Sequence, residues 1–242
     1  RAASAAAMSN IVYNSVKSDY AINTALEKYG ITDDRNKALS ERTVMGAVTK
    51  LKYIDMCIGE YSSTPLNKID KFVLCVLRVS VYQLLFMDRV PGYAVINDAV
   101  ETVKRSGYKS ASGFVNAVLR KILQNNKNLP KPDENLPEGL SVKYSLPLWF
   151  AEKIVWEKGL EFAKSLFEAF DKESNITIQI NTLKTSTTDY KQLLSEKNIE
   201  FTDNPLISDS VILEKGTKIT DLPGYSDGLF YVQDSAANLA VT

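Results

Sequence analysis

Residues 90–122, VPGYAVINDAVETVKRSGYKSASGFVNAVLRKI, decide the fold: they spell two amphipathic helices joined by a short basic turn. Pro91 suits a helix start, because its fixed φ is helical and its missing N–H would be unpaired in a first turn anyway. Tyr93, Ile96, Val100 and Val103 recur at three- and four-residue steps and so share one helical face. Gly107 ends that helix, since glycine takes the left-handed C-terminal cap without a Cβ clash. Phe114, Val115, Val118, Leu119, Ile122 and Leu123 repeat the pattern in the second helix, and Asn97 and Asn116 each border a stripe. Lys104, Arg105, Lys109, Arg120 and Lys121 lie between and beside the stripes. A packed inside and a cationic outside suit contact with a nucleic acid.

Outward from this pair, the 242 residues are enough for two domains, and the apolar and charged fractions are those of a globular protein. The net charge of zero hides an asymmetry. Lys and Arg outnumber Asp and Glu by 17 to 11 over residues 1–124 and are outnumbered 12 to 18 over residues 125–242. The first part favours an anionic partner, while the acidic second part argues against a surface that coats RNA uniformly. Cys57 and Cys75 both fall in helical apolar patterns and read as reduced core thiols. The apolar run from Phe72 to Met87 is interrupted by Arg78 and Gln83 and is shorter than the roughly 20 residues of a membrane-spanning helix. The start, RAASAAAMSN, lacks both an initiator Met at its first position and the apolar core of a secretion signal. The expected location is the cytoplasm.

Residues 2–124 read as all helix. Ala5 to Val16 and Ala21 to Leu26 mark the first two helices, and Asp33 or Asp34 caps a long third one reaching towards Ile58. Ile69 to Met87 is apolar enough to form the centre of a bundle. Residues 125–139, NNKNLPKPDENLPEG, carry three prolines and four asparagines and read as a linker. Beyond it, Pro147–Trp156 and Leu160–Phe170 read as aromatic-rich helices. Ile176–Ile180 alternates with period two and reads as a strand, followed by a helix at Thr188–Lys197. Strands are expected at Ser210–Leu213 and Leu229–Val232, with Asp234 capping a helix from Ser235.

Several segments resemble one family, the bacterial 16S ribosomal RNA cytosine-C5 methyltransferases of the Sun/RsmB/Fmu type. They are DDRNKAL (33–39), Leu77-Arg78, Tyr82 to Leu85, VPGYAVINDAV (90–100), GFVNAVLRKI (113–122), KYSLPLWF (143–150), TIQINTLK (177–184) and LPGYSDGLFYVQD (222–234). The resemblance implies a multidomain chain: an all-α NusB-like RNA-binding bundle at 1–124, the linker at 125–139, and a helical linker with a small α+β, RRM-like subdomain at 140–228. Residues 229–242 would begin a methyltransferase domain, with no complete Rossmann-like sheet present. In this family a glycine-rich S-adenosylmethionine loop and two cysteine-bearing motifs follow, because a thiolate must add to C6 of cytosine before C5 accepts the methyl group. None of these motifs occurs here, and Cys57 and Cys75 match neither cysteine motif. The expectation is a piece with no catalytic residue, no metal site and no cofactor of its own, with S-adenosylmethionine serving the full-length protein. The chain departs from the family pattern at Asn36, Asp98, Leu146 and Gln179, and it has no histidine.

By the resemblance the partner is small-subunit ribosomal RNA, with a second protein able to dock on the bundle. The rival is a non-catalytic regulator of the antitermination type, which would not continue into the 143–234 segments. Arg35, Lys104, Arg105, Lys109, Arg120 and Lys121 are the candidate RNA contacts, each weighed against an ion pair or a solvated face. Arg78, in the most apolar helix, reads as internally paired or snorkelling. Asn97 and Asn116 read as donors and acceptors in helix-to-helix or helix-to-loop hydrogen bonds. Trp149, Phe150, Trp156, Phe162, Phe167 and Phe170 read as core in preference to a base-stacking platform. Asn181, Gln233 and Asp234 would border the active cleft of the intact enzyme, Asp234 doubling as a helix cap.

Overall fold

The computed structural model describes residues 1–126, 128–172, 175–214 and 216–240. The chain forms two compact units, Arg1–Asp171 and Lys172–Thr242.

The first unit is helical: α1 (Ala2–Asn14), α2 (Ser18–Lys28), α3 (Asp34–Thr49), α4 (Leu51–Tyr61), α5 (Lys71–Phe86), α6 (Gly92–Arg105), α7 (Ser112–Gln124), α8 (Pro137–Lys143), α9 (Leu148–Lys158) and α10 (Leu160–Asp171). α5 is the centre, as its apolar run implies: ten of its sixteen residues are buried, and α1, α3, α4, α6 and α7 pack around it. Asp70 caps it by accepting hydrogen bonds from the backbone N–H groups of Phe72 and Val73. Asp33 caps α3 in the same way, accepting from Asn36 N at 2.9 Å.

The long third helix expected from Asp33 to Ile58 is instead two helices that meet at Lys50, whose φ of −108° and ψ of 20° leave the helical region. The cause is local. Thr49 Oγ1 bonds back to the Gly46 carbonyl at 3.0 Å, competing with the backbone ladder, and Gly46 itself favours a break. A Cβ on Gly46 would lie 1.9 Å from the Tyr82 ring, so glycine is required for α5 to approach.

The segment 125–139, read as a linker, runs into α8, a helix the sequence pattern did not announce. Helices α8 to α10 stay with the bundle and enclose their own small core of Leu140, Ala151, Ala163 and Phe167. Lys52 of α4 ties α8 down, donating to Ser141 Oγ at 2.7 Å and to the Leu146 carbonyl at 2.6 Å.

The second unit is a four-stranded antiparallel sheet of order β2-β3-β1-β4, made of β1 (Ile176–Ile180), β2 (Phe201–Asp203), β3 (Ser210–Leu213) and β4 (Phe230–Val232). Ile178 and Ile180 of β1, Val211 and Leu213 of β3 and Phe230 of β4 face α11 (Thr187–Glu196), whose Tyr190 and Leu194 complete the core. The period-two alternation of β1 therefore carries a one-sided sheet. β4, anticipated as the opening of a further domain, pairs with β1 in the register Gln179 to Tyr231. Among the described residues this α+β sheet is the only one, and no Rossmann-like sheet is present.

Candidate nucleic-acid interface

Helix α6 starts after Pro91 and ends as the sequence requires. Gly107 adopts φ +91°, and Tyr108 N donates to the Val103 carbonyl at 2.8 Å, closing the last turn. A 3₁₀ turn at Lys109–Ala111 then leads into α7, which returns antiparallel along α6. Gly92 makes the close pairing possible, since a Cβ there would lie 2.8 Å from the Leu123 side chain. The buried faces are Val95, Ile96, Ala99, Thr102 and Val103 on α6 and Val115, Val118, Leu119 and Ile122 on α7.

All five hairpin cations are exposed. The antiparallel arrangement separates them into two groups. Lys104, Arg105 and Lys109 surround the turn, while Arg120 and Lys121 lie at the far end of α7, beside the start of α6. Eight residues of helix, about 12 Å at 1.5 Å per residue, separate Arg120 from the first residue of α7. Lys104 also bonds Glu101 at 2.9 Å, and that contact holds the Glu101 carboxyl below its usual range. The pair lies in solvent contact, so the lysine can exchange partners. Arg120 Nε donates to Asn116 Oδ1 at 3.1 Å.

Two expectations fail here. Asn97 is exposed and Asn116 serves Arg120 on its own helix, so neither joins one helix to another. Tyr93 does not join the buried stripe but is 71% exposed. At 100° per residue Gly92 lies near the centre of that stripe, and Tyr93 sits roughly 120° from it. The positions of Ile96 and Ala99 fix the direction of that stripe, and the three-residue step from Tyr93 to Ile96 carries Tyr93 off it. Tyr93, Asn97, Arg120 and Gln124, with Ile96 and Leu123, instead line a groove of about 130 Å³.

Arg35 is exposed in the first turn of α3. Its neighbours Asp33 and Asn36 line a larger cavity of about 630 Å³, which Val90 and, from α6, Ala94 and Asp98 also line. Arg1 reaches into this cavity and bonds Asp98 at 3.0 Å and Gln83 Oε1 at 2.5 Å. Arg78 is 6% exposed and fully committed: Nε and Nη2 bond both oxygens of Asp55 at 2.8 and 2.7 Å, and Nη1 bonds the Tyr13 hydroxyl at 3.0 Å. Burial opposes its charge, but Asp55 outweighs that and holds the guanidinium pKa above its ordinary value. Cys57 and Cys75 are buried, and desolvation pushes both thiols up to about 11.

The aromatic helices depart from expectation. Phe167 is core and Phe150 half-buried, but Trp149, Trp156, Phe162 and Phe170 are exposed on α9 and α10. The core there is small, Leu140, Ala151, Ala163 and Phe167, with Tyr144 and Phe150 packed against the Phe167 ring.

In the second unit, Asn181 is a structural pin. Its amide donates to the Gly228 carbonyl at 2.9 Å while its backbone N–H bonds the Leu229 carbonyl at 2.8 Å. The Gln233 backbone N–H bonds the Thr177 carbonyl at 3.1 Å, and Asp234 caps the short α12 (Ser235–Leu239) through Ala236 N at 2.7 Å. Gln179, where the family pattern has arginine, accepts from Asn238 Nδ2 at 2.5 Å. Asn204 donates to Ser210 Oγ at 3.1 Å and to Ser235 Oγ at 2.8 Å, a network that motif reading did not reveal. Glu200 and Glu214 meet at the other end of the sheet, where their mutual hydrogen bond raises the Glu214 carboxyl pKa. That acidic end is a poor host for phosphates.

The methyl donor implied by the sequence resemblance needs a glycine-rich turn between a strand and a helix. β4 enters α12 through Gln233 and Asp234, with no glycine between them. Gly224, at φ +75°, lies upstream, and the space its Cβ would take is filled by the Leu229 side chain 2.4 Å away. The described residues do not fit S-adenosylmethionine. Among them, no cluster of three metal-ligating side chains occurs, and no helix is long and apolar enough to cross a membrane.

A helical bundle with a cationic hairpin at 1–124, followed by further helices and an antiparallel α+β unit, has the make-up of a NusB-like domain and a ferredoxin-like domain in one chain. The chain belongs to the NusB family, which it matches over residues 2–124; residues 146–220 match the Methyltr_RsmF/B-like, ferredoxin-like domain. It is similar to the probable ribosomal RNA small subunit methyltransferase B of Synechocystis sp., with 29% identity over 90% of this chain and 49% of that protein. The ribosomal RNA small subunit methyltransferase B of Vibrio vulnificus is 28% identical over 97% of this chain and 54% of its own length. The chain thus spans about half the length of the curated relatives it matches. The crystal structure of PH0851 shares the fold, with a TM-score of 0.68 and 21% identity over 99% of this chain and 54% of that one.

Proposed function

We propose that this chain is the RNA-recognition portion of an S-adenosylmethionine-dependent 16S ribosomal RNA 5-methylcytosine methyltransferase acting in the cytoplasm. The observation that carries the proposal is the basic α6–α7 hairpin on a NusB-type bundle, in one chain with an RsmF/B-like domain. Lys104, Arg105 and Lys109 at the turn, and Arg120 and Lys121 at the far end, contact phosphates in a sequence-independent way. Arg35 contributes a separate phosphate contact at the start of α3. The second unit, acidic at one end, positions the target strand, with Asn181, Gln233 and Asp234 shaping the edge that borders the active cleft of the whole protein. Methyl transfer and its cofactor belong to residues outside those described. The antitermination-type regulator is the weaker reading, because it gives no role to residues 146–220.

Binding to a small-subunit RNA fragment, titrated across salt concentration, tests the grip. Affinity should fall linearly in log–log form, and Lys104→Ala/Arg105→Ala/Lys109→Ala should make the slope shallower by about 2, at 0.7 per single-strand phosphate contact. Absent binding at low salt, or binding indifferent to salt, refutes the proposal.

A further inference from the structure

We propose that the groove between the start of α6 and the end of α7 holds one unstacked base of single-stranded RNA, stacked on Tyr93; this rests on the RNA reading above and adds to it. Tyr93 is a large ring left 71% exposed in the first turn of a fourteen-residue helix. The groove that it lines has apolar walls in Ile96 and Leu123 and two amides, Asn97 and Gln124. Each amide offers both a donor and an acceptor, the complement of a base edge. The volume, about 130 Å³, is well under that of a pocket for a free small molecule, roughly 300–1,000 Å³. It suits one planar group of a polymer whose remainder lies outside.

Charge selects the polymer. No acidic side chain lines the groove, whereas Arg120 does. The bond from Arg120 Nε to Asn116 leaves both Nη groups available to the phosphate beside a seated base, and Lys121 is adjacent. A duplex would not enter, because its bases are stacked and its A-form edges are recessed or shallow. Base-on-aromatic stacking with a flanking cation is the usual means of holding a single strand without reading its sequence.

The test uses single-stranded oligoribonucleotides carrying 2-aminopurine, with a duplex of equal length as control, at low ionic strength. Stacking on Tyr93 should quench the fluorescence. Tyr93→Ala should abolish the quench and weaken single-strand binding roughly tenfold, with duplex binding unchanged, while Tyr93→Phe should keep both. Circular dichroism melts check that the exposed substitution leaves the fold intact. If wild type and Tyr93→Ala bind and quench alike, the base-pocket proposal falls and the phosphate grip survives. If wild type binds no RNA, the functional reading falls with it. Should sedimentation show a dimer that Tyr93→Ala dissolves, the groove is a self-contact and the proposal is overturned.

Discussion

The helical unit and the sheet unit hold together by different means. In the bundle, α5 is surrounded on most sides by apolar helices, and one contiguous core runs from Ala3 to Ile122. In the sheet unit the core is eight buried residues, and the strands are further tied by largely buried amides and hydroxyls: Asn204 to Ser210 and Ser235, Gln179 to Asn238. Burial scales with size, so a unit of this length gains less from its core and leans more on specific polar contacts. The bundle should therefore tolerate loss of most single hydrogen bonds, and the sheet unit should not.

The bundle's exception gives the largest expected effect. Asp55→Ala strips Arg78 of its bidentate partner inside α5. Breaking a buried pair costs about 3–5 kcal/mol, and the partial exposure of Asp55 places this case near 3 kcal/mol, read from urea unfolding. A loss under about 1 kcal/mol would mean that Tyr13 and water suffice. Next, Asn204→Ala leaves Ser210 and Ser235 without their donor and should cost the sheet unit about 1–3 kcal/mol. Hydrogen exchange should show faster opening of β1 and β3 with α5 unmoved; equal acceleration in α5 would show that the two units unfold as one.

A smaller effect separates the units by pH. The buried thiols of Cys57 and Cys75 have their pKa raised from 9.0 to about 11, so the fold favours the protonated form. That contribution is fully present below pH 9 and is lost as pH rises towards 11, because the unfolded chain ionises first. Melting of the bundle should decline over this window, and Cys57→Ser/Cys75→Ala should flatten the decline even if it lowers the melting temperature throughout. Smallest of all, calorimetry with S-adenosylmethionine should give no heat, and micromolar binding would place a cofactor site within this chain.

Legibility in the sequence followed the same division. Residues whose role is local were readable: Asp33 and Asp234 as caps, Gly107 as a terminator, and the alternation of β1. The split at Lys50 is not, since the Thr49 hydroxyl that turns back on the Gly46 carbonyl leaves no mark in the apolar periodicity. β2, three residues long, carries no periodicity to detect. Periodicity alone puts Tyr93 and the aromatic rings of α9 and α10 in the core, because it marks a direction, while burial depends on what lies in that direction. In the candidate site the cations were visible as residue types, but their division into two groups required the antiparallel return of α7.

That return has a kinetic consequence. The contacts of α6 with α7 join residues close in sequence across a short turn, so closing the loop between them loses little entropy. The hairpin is a natural nucleus, and substitutions such as Val103→Ala and Leu119→Ala should slow folding more than they speed unfolding. The surface assigned to RNA would then be among the first parts of the chain to take shape.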